Sequence, residues 1–212
     1  MATPTHSAFF YGTLMAPQVL HRVCHGSTRP SNPIYAAHQF ELSPAILHKY
    51  RRHRVRHADY PAILPVVNDP TATVRGTYVT GLTDADLWRL DIFEGSEYRR
   101  ERVKVRLLTK SGSDEASGQG NEEGEEVEAE TYVWIADPKD LDEREWDFVE
   151  FQREKMRFWV GREGQGEYAE VDDAVASAEH QQDGTGGRGA KGHISMALKE
   201  EQAKDEVARN AV

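Results

Sequence analysis

The chain has 212 residues, enough for one domain and a tail, and carries a formal net charge of −10. An acidic balance of this size repels nucleic acid and anionic membranes on average, so we expect neither as a partner. The single cysteine, Cys24, excludes an internal disulfide and suits a cytoplasmic location. No apolar run approaches the roughly 20 residues of a membrane-spanning helix, and we expect no signal peptide.

The pattern of apolar and polar residues predicts several strands and few helices. In chain order it predicts a strand at 8–11, a helix at 16–23, one or two strands within 34–47, extended backbone at 60–65, a strand at 74–80, a helix at 84–92, strands at 98–108 and 130–136, and a last helix from near 142. These elements do not alternate in a βαβ rhythm. They therefore predict an α+β fold or a helix-flanked barrel rather than a doubly wound parallel sheet.

Two polar segments interrupt this pattern. Residues 111–128 are rich in Gly, Ser and Glu and contain no basic residue, so they predict a long, flexible acidic loop between two strands. From residue 169 onward there is no Phe, Tyr or Trp, and such a stretch buries too little apolar surface to offset its chain entropy. We therefore expect one domain at 7–168 and a low-complexity, mostly disordered tail at 169–212.

Two short motifs stand at the ends of predicted elements: FYGTL at 10–14, where the first strand ends, and LDIFEG at 90–95, where a helix ends. Further segments accompany them in a fixed order, namely YPAILP at 60–65, YRR at 98–100, TYVW at 131–134 and EWDFVEF at 145–151. This set resembles the γ-glutamyl cyclotransferase superfamily, and most closely its plant and fungal branch named for avirulence-induced genes. The resemblance covers roughly residues 8–160.

The resemblance implies a fold, a reaction and a set of site residues. The implied fold is α+β, a small mixed β-barrel with flanking helices and a cavity at one end. The implied reaction closes the γ-glutamyl group of a small-molecule substrate into 5-oxoproline, with no cofactor and no metal. In that family a glutamate is the catalytic acid/base, which here is Glu94. The residues that match the family's substrate-binding positions are Tyr11, Gly12, Thr13, Leu14 and Tyr132.

The residue types suit that chemistry. The substrate's α-amino group must lose a proton before it attacks the γ-carbonyl, and the leaving nitrogen must gain one. A single carboxylate such as Glu94 can do both in turn, and an apolar pocket that includes Phe93 would raise its pKa toward neutrality. Gly12 at a strand end lets the backbone approach an anion closely, and the helix after it can add its dipole.

Simpler interpretations of the same residues stay open. The segment after the first strand could be an ordinary turn, Glu94 could be the end of a surface helix, and Tyr132 could be a core aromatic. The basic run at 48–57 could bind nucleic acid, but a solvated strand or hairpin is favoured because the rest of the chain is acidic. The nine histidines and Cys24 show no metal-ligand or nucleophile spacing, so neither kind of site is predicted.

Two other functions also fit the sequence. The chain could keep the pocket as a non-catalytic module that binds glutamate-like ligands, or it could use the pocket as an acyltransferase. The sequence names neither the leaving group nor the oligomeric state. The three functions differ in their products, since only a cyclotransferase releases 5-oxoproline.

Overall fold

The computed structural model describes residues 5–29, 31, 33–112, 120–160 and 168–183 of the chain. These residues belong to two compact units, residues 1–165 and residues 166–212. The first unit holds the strands and all the predicted site residues. The described part of the second unit holds one helix.

The elements of the first unit follow no regular alternation. Its strands are β1 (His6–Phe10), β2 (Glu41–His48), β3 (Tyr50–Arg54), β4 (Pro61–Pro65), β5 (Thr73–Leu82), β6 (Tyr98–Lys110) and β7 (Glu122–Trp134). Its α-helices are α1 (Pro17–His25), α2 (Pro33–Ala37), α3 (Asp84–Glu94), α4 (Phe148–Glu150) and α5 (Met156–Val160). Single 3₁₀ turns lie at Thr13–Met15, Gly95–Glu97 and Pro138–Asp140, and a π-helical turn at Phe151–Lys155. No helix that the structure describes is both long and apolar enough to cross a membrane.

Five of the strands form one curled sheet. Its strand order is β1-β5-β2-β6-β7, and it closes on itself where Ala8 of β1 pairs with Glu130 of β7. The closing pair is parallel and the other neighbours are antiparallel, so the sheet is mixed. Strands β3 and β4 form a separate antiparallel pair. The predicted α+β fold, with a mixed barrel-like sheet and flanking helices, is confirmed.

The interior of the curled sheet shows why these segments are strands. Successive residues of a strand point to opposite faces, and the inward ones here are apolar. The buried cluster consists of Phe9, Tyr11, Ala45, Leu47, Ile63, Val74, Val105, Ala129 and Val133. Because Ile63 belongs to β4, the separate strand pair packs on the same core. This packing brings Pro61, the first residue of β4, against the turn that follows β1.

The acidic segment after β6 is mostly strand. β7 begins at Glu122, so the loop predicted for 111–128 is wrong from that residue onward, while residues 113–119 lie outside the described part. The carboxylates face basic residues of β6 across the ladder. The Nζ of Lys110 lies 2.9 Å from Oε1 of Glu122, and Glu126 lies between two further basic side chains. Opposite charges on paired strands stabilise a sheet, which offsets the repulsion within the acidic run.

The second unit contains the start of the segment that the sequence predicts to be disordered. Residues Ala169–Asp183 form helix α6, so the prediction is wrong for this stretch. Alanine and glutamate are strong helix formers, and acidic residues in the first turn, Glu170 and Asp172, interact favourably with the helix dipole. A helix therefore forms without aromatic residues. The rest of the predicted tail, residues 184–212, lies outside the described part.

Candidate active site

The first predicted site segment is the turn that follows β1. Gly12 precedes the 3₁₀ turn at Thr13–Met15, which is closed by a 2.9 Å hydrogen bond from the Met15 N–H to the Gly12 oxygen. Among the described residues, the N–H groups of Gly12, Thr13 and Leu14 have no backbone acceptor. Helix α1 begins directly after this turn. Backbone N–H groups in this position suit an anion such as a carboxylate.

Close packing explains the glycine at position 12. A Cβ atom there would lie 2.8 Å from both Cγ and Cδ of Pro61, well inside van der Waals contact. The position of Pro61 is fixed in turn, because its carbonyl accepts a 3.0 Å hydrogen bond from the Tyr98 hydroxyl. The turn after β1 therefore packs against the first residue of β4, which the first residue of β6 holds in place.

Helix α3 carries the second predicted segment, and local signals delimit it. Thr83 caps the first turn in a reciprocal pair with Asp86. At the other end Gly95 has a φ of +71°, a conformation that favours glycine, and its N–H donates to the Asp91 oxygen. Glu94 is the last residue of the helix. Because Asp91 and Glu94 are three residues apart, their side chains share one helix face.

Two hydrogen bonds connect the turn after β1 with α3 by way of β7. The buried hydroxyl of Tyr11 donates to the backbone oxygen of Tyr132 at 2.6 Å. The hydroxyl of Tyr132 in turn donates to Oδ1 of Asp91 at 2.8 Å. These contacts bring the two predicted segments, far apart in the sequence, to the same end of the curled sheet.

Glu94 lies among the tyrosines of this network. Burial raises the pKa of its carboxyl to about 8, and the negative charge of Asp91 adds to the rise. The charge of Glu94 acts on the tyrosines in return. Burial is the main cause of the raised pKa of Tyr11, Tyr98 and Tyr132, and Glu94 raises each of them further. A carboxyl with a pKa near neutrality can both accept and donate a proton.

Asp91 is a part of the site that the sequence analysis does not assign. The Nε of Arg100 lies 2.9 Å from Oδ1 of Asp91, and Nη1 of the same arginine lies 2.7 Å from Oε2 of Glu130. This pairing fixes Asp91 next to Glu94. Its spacing, three residues before Glu94 on a predicted helix, is the signal that could have identified it.

A buried arginine supports the turn after β1 from β3. Arg52 is 2 % exposed, and its Nη1 donates to the Tyr11 oxygen at 3.1 Å. Because that oxygen and the Gly12 N–H belong to one peptide group, Arg52 orients the N–H. Its Nη2 lies 3.2 Å from Oε1 of Glu145, and its guanidinium faces the ring of Trp146. The basic run does form a strand, but the prediction that this strand is solvated is wrong for Arg52.

The structure brings three predicted residues, Tyr11, Glu94 and Tyr132, into one network, and Gly12 begins the turn beside it. Thr13 and Leu14 follow in that turn with buried side chains, which leaves their backbone groups as the parts suited to bind a ligand.

Phe93, which the sequence places in an apolar pocket with Glu94, has an aromatic neighbour of its own. Phe93 packs its ring edge-on against Trp159, with the ring centroids 6.3 Å apart. The aromatic groups whose pKa is raised by the charge of Glu94 are Tyr11, Tyr98 and Tyr132. Tyr98 stands in a motif that the sequence analysis quotes, but its part in the site follows only from the fold.

The segments that form this site belong to a region shared with known proteins. Residues 8–148 match the family model described as γ-glutamyl cyclotransferase, AIG2-like. AIG2-like protein D of Arabidopsis thaliana is 34 % identical over 152 residues, which cover 71 % of this chain and 82 % of that protein. Protein AIG2 C of the same plant is 29 % identical over 148 residues, which cover 70 % and 73 %.

Solved structures are also similar to this chain. One of them is the solution structure of an Arabidopsis thaliana protein, with a TM-score of 0.48, 26 % identity, and coverage of 84 % of this chain and 91 % of the other. The family match covers two thirds of the sequence and includes every residue of the network described above. The resemblance noted in the sequence is confirmed: the chain belongs to the AIG2-like γ-glutamyl cyclotransferase family.

Proposed function

We propose that the chain is a γ-glutamyl cyclotransferase, which converts a small γ-glutamyl substrate into 5-oxoproline and a free amine or peptide. One observation carries the proposal: Glu94, with a pKa of about 8, lies in the same tyrosine network as the turn that begins at Gly12. The reaction needs a proton-transfer group and a carboxylate-binding group, and these two segments supply both. Family membership supports the same function.

The proposed reaction is an internal aminolysis. The N–H groups of Gly12, Thr13 and Leu14 bind the substrate's α-carboxylate. Glu94 takes a proton from the α-ammonium, and the amine nitrogen attacks the γ-carbonyl carbon of the same molecule. The bond between that carbon and the leaving nitrogen then breaks as Glu94 returns the proton to the leaving nitrogen. The attacking nitrogen, which still carries two hydrogens, gives one of them to the regenerated Glu94 carboxylate, and this proton leaves with the released amine, so that the lactam nitrogen keeps one hydrogen. Because the nucleophile is tethered, its orientation supplies on the order of 7–11 kcal/mol of the barrier reduction.

The tyrosines have a positioning part in this proposal. The hydroxyls of Tyr11 and Tyr132 each donate a hydrogen bond to the protein, so their rings are fixed beside the substrate. Asp91 accepts from Tyr132 and keeps the pKa of Glu94 high, which lets Glu94 donate the proton after it has accepted one.

The test is a panel of γ-glutamyl donors incubated with the folded full chain, including glutathione, γ-glutamyl dipeptides, γ-glutamyl-ε-lysine and γ-glutamyl amines. We expect at least one donor to release 5-oxoproline and its amine in equal amounts, measured by chromatography. If the chain binds a γ-glutamyl donor but releases no 5-oxoproline, the result would favour the non-catalytic module that binds glutamate-like ligands. A new γ-glutamyl amide formed from an added amine, without 5-oxoproline, would favour the acyltransferase.

The variant Glu94→Gln tests the proposed base. Because a positioned general acid/base contributes about 10²–10⁴-fold, we expect kcat to fall by that factor while the fold is retained. The control is Glu97→Gln, since Glu97 is exposed and lies one turn further along the chain. Wild-type turnover by Glu94→Gln would contradict the proposed role of Glu94.

Two further properties belong to the proposal. The proposed partner is a small γ-glutamyl molecule, because the proposed site consists of one carboxylate, that of Glu94, and one turn of backbone, which begins at Gly12. A cytoplasmic location suits a chain whose single cysteine, Cys24, is free and buried. Fluorescent tagging of the full chain tests this location.

A further inference from the structure

A cluster of metal-ligating side chains lies apart from the proposed catalytic network. His25 ends α1, His38 follows α2, and Asp86 lies in the first turn of α3. The Nε2 of His25 is 3.1 Å from Nδ1 of His38, and the Nε2 of His38 is 3.6 Å from Oδ2 of Asp86. One ligand atom from each of the three residues lies within 4.8 Å of the other two. The positions 25, 38 and 86 form no sequence motif, so only the fold brings them together.

The spacing of these atoms suits a shared cation. A tetrahedral zinc ion with bonds of about 2.1 Å holds its ligand atoms about 3.4 Å apart. The two ring nitrogens of His25 and His38 are already near that separation. The ligand atom of Asp86 lies within 4.8 Å of the other two, so the carboxylate must move closer to reach the same ion. A carboxylate has several lone pairs, so Asp86 can bind the ion and keep the capping hydrogen bonds that Thr83 donates to its Oδ2.

Neighbouring groups orient both imidazole rings. The Nε2 of His38 donates to the Gly81 oxygen at 2.6 Å, which leaves its Nδ1 lone pair directed at His25. The Nδ1 of His25 lies 3.1 Å from Nδ1 of His21. Metal-binding histidines commonly use their other ring nitrogen in this way, because the second contact fixes the tautomer and the ring orientation.

Burial of apolar side chains contributes little to the attachment of the segment around His38. Helix α2 contains no buried residue. The segment is held mainly by polar and ring contacts, including His38 itself and the ring of Tyr35 stacked on His21 at 3.8 Å. An ion bound to residues of α1, α3 and this segment would join three parts of the chain that are distant in sequence.

We propose that His25, His38 and Asp86 bind one divalent transition-metal ion of the zinc class, which holds the segment after α2 against α1 and α3. Two imidazoles and one carboxylate favour Zn²⁺, Co²⁺, Ni²⁺ or Cu²⁺ over Ca²⁺ and Mg²⁺. His38 is partly exposed, so solvent can reach the cluster and supply the remaining ligand. The site is structural and separate from Glu94.

The experiment uses the full chain after treatment with a chelator, with Zn²⁺ alone as the probe in calorimetric titration. We expect one ion per chain with a Kd in the micromolar range or tighter. At about a hundredfold excess of free Zn²⁺ over Kd, the Tm should rise by about 5 °C or more. Binding of Co²⁺ should give the visible absorption of a tetrahedral complex.

Two variants and a matched control assign the ligands. His38→Gln and Asp86→Asn should each weaken Zn²⁺ binding at least about tenfold, and Asn can still accept the capping hydrogen bonds from Thr83. The control is His48→Gln, because His48 is a half-exposed histidine 2.9 Å from Glu123 and should not affect binding. Absence of saturable binding by the wild type, wild-type affinity in both variants, or a loss of affinity confined to one variant would overturn the proposed site.

Discussion

The pKa of one carboxyl group is the residue property on which the proposed chemistry depends. Burial raises the pKa of Glu94 to about 8, and Asp91 contributes further. A general acid/base works best when its pKa lies near the working pH, since it must give up the proton that it takes. Asp91 and Glu94 thus act as a pair in which one charge tunes the other group.

The variant Asp91→Asn tests this tuning through the pH dependence of kcat/KM. Because Glu94 must be ionised to act as the base, activity should rise with pH through about 8 in the wild type. Removal of the neighbouring negative charge should move that rise to lower pH, with the same substrate in both assays. Asp84→Asn, at the exposed start of the same helix, is the control. If the midpoint of the rise of kcat/KM with pH is the same in Asp91→Asn as in the wild type, the result would contradict the effect of the Asp91 charge on the pKa of Glu94.

The same pKa predicts how stability depends on pH. The folded state holds a proton on Glu94 up to about pH 8, whereas the ordinary value of a glutamate is 4.5. The unfolded chain therefore loses the proton first, and wild-type stability falls as pH rises from 4.5 to 8. Glu94→Gln has no such proton to lose. The difference in free energy of unfolding between Glu94→Gln and the wild type should therefore grow in favour of the variant by about 2 kcal/mol from pH 4.5 to pH 8. This figure is smaller than the full pKa shift would give, because Glu94 is partly exposed. Urea unfolding checks this, and parallel pH curves would contradict it.

At the scale of elements, the site depends on the ends of β1 and α3. Both ends carry a glycine, but for different reasons. Gly95 has the positive φ that stops a helix, whereas Gly12 leaves space for Pro61 of β4. Gly95 therefore lets the backbone turn directly after Glu94, and Gly12 lets the turn after β1 lie against Pro61.

Gly12→Ala tests the packing at the first of these ends. The new Cβ would meet Pro61 at 2.8 Å, so we expect a loss of about 1–3 kcal/mol of stability and a higher KM as the turn shifts. The matched control is Gly26→Ala, because Gly26 has a φ of +69° and open space around it. The control should lose about 1 kcal/mol of stability through its backbone and keep wild-type kinetics. Unchanged KM in Gly12→Ala would contradict the assignment of this turn to substrate binding.

Local signals explain which elements the sequence predicts correctly. The cap at Thr83 and the stop at Gly95 lie next to the helix that they delimit, so α3 is predicted almost to its last residue. The start of β7 is missed because its acidic residues are stabilised by the basic residues of β6, and that pairing is not a local property. The catalytic candidate Glu94 and the Gly12 turn follow from motifs, whereas the roles of Tyr98 and Arg100 follow only from the fold.

At the scale of the molecule, one buried cation links distant parts of the first unit. Arg52 of β3 contacts Tyr11 near the start of the unit and Glu145 near its end. Neither partner can be inferred from the basic run in which Arg52 stands. The guanidinium therefore couples the stability of the whole unit to the geometry of the turn after β1.

Arg52→Leu tests this link. It removes the ion pair between the buried Arg52 and Glu145, and we expect a loss of about 3 kcal/mol of stability together with a higher KM. Addition of Glu145→Leu should restore part of the stability but not the KM, because the Tyr11 oxygen still lacks its donor. Arg51→Leu is the exposed control, with an expected effect below about 0.5 kcal/mol. A wild-type KM in Arg52→Leu would rule out the positioning role.

The most direct test of the proposed site is a titration of the isotope-labelled full chain with 5-oxoproline, followed by NMR. The backbone amide signals of Gly12, Thr13 and Leu14 and the side-chain carboxyl signal of Glu94 are recorded together. Because the proposed site contains both groups, we predict that all four signals shift along one saturation curve with a single Kd. If a saturating concentration of 5-oxoproline shifts the amide signals but not the Glu94 carboxyl signal, or shifts none of the four, the result would contradict a common site.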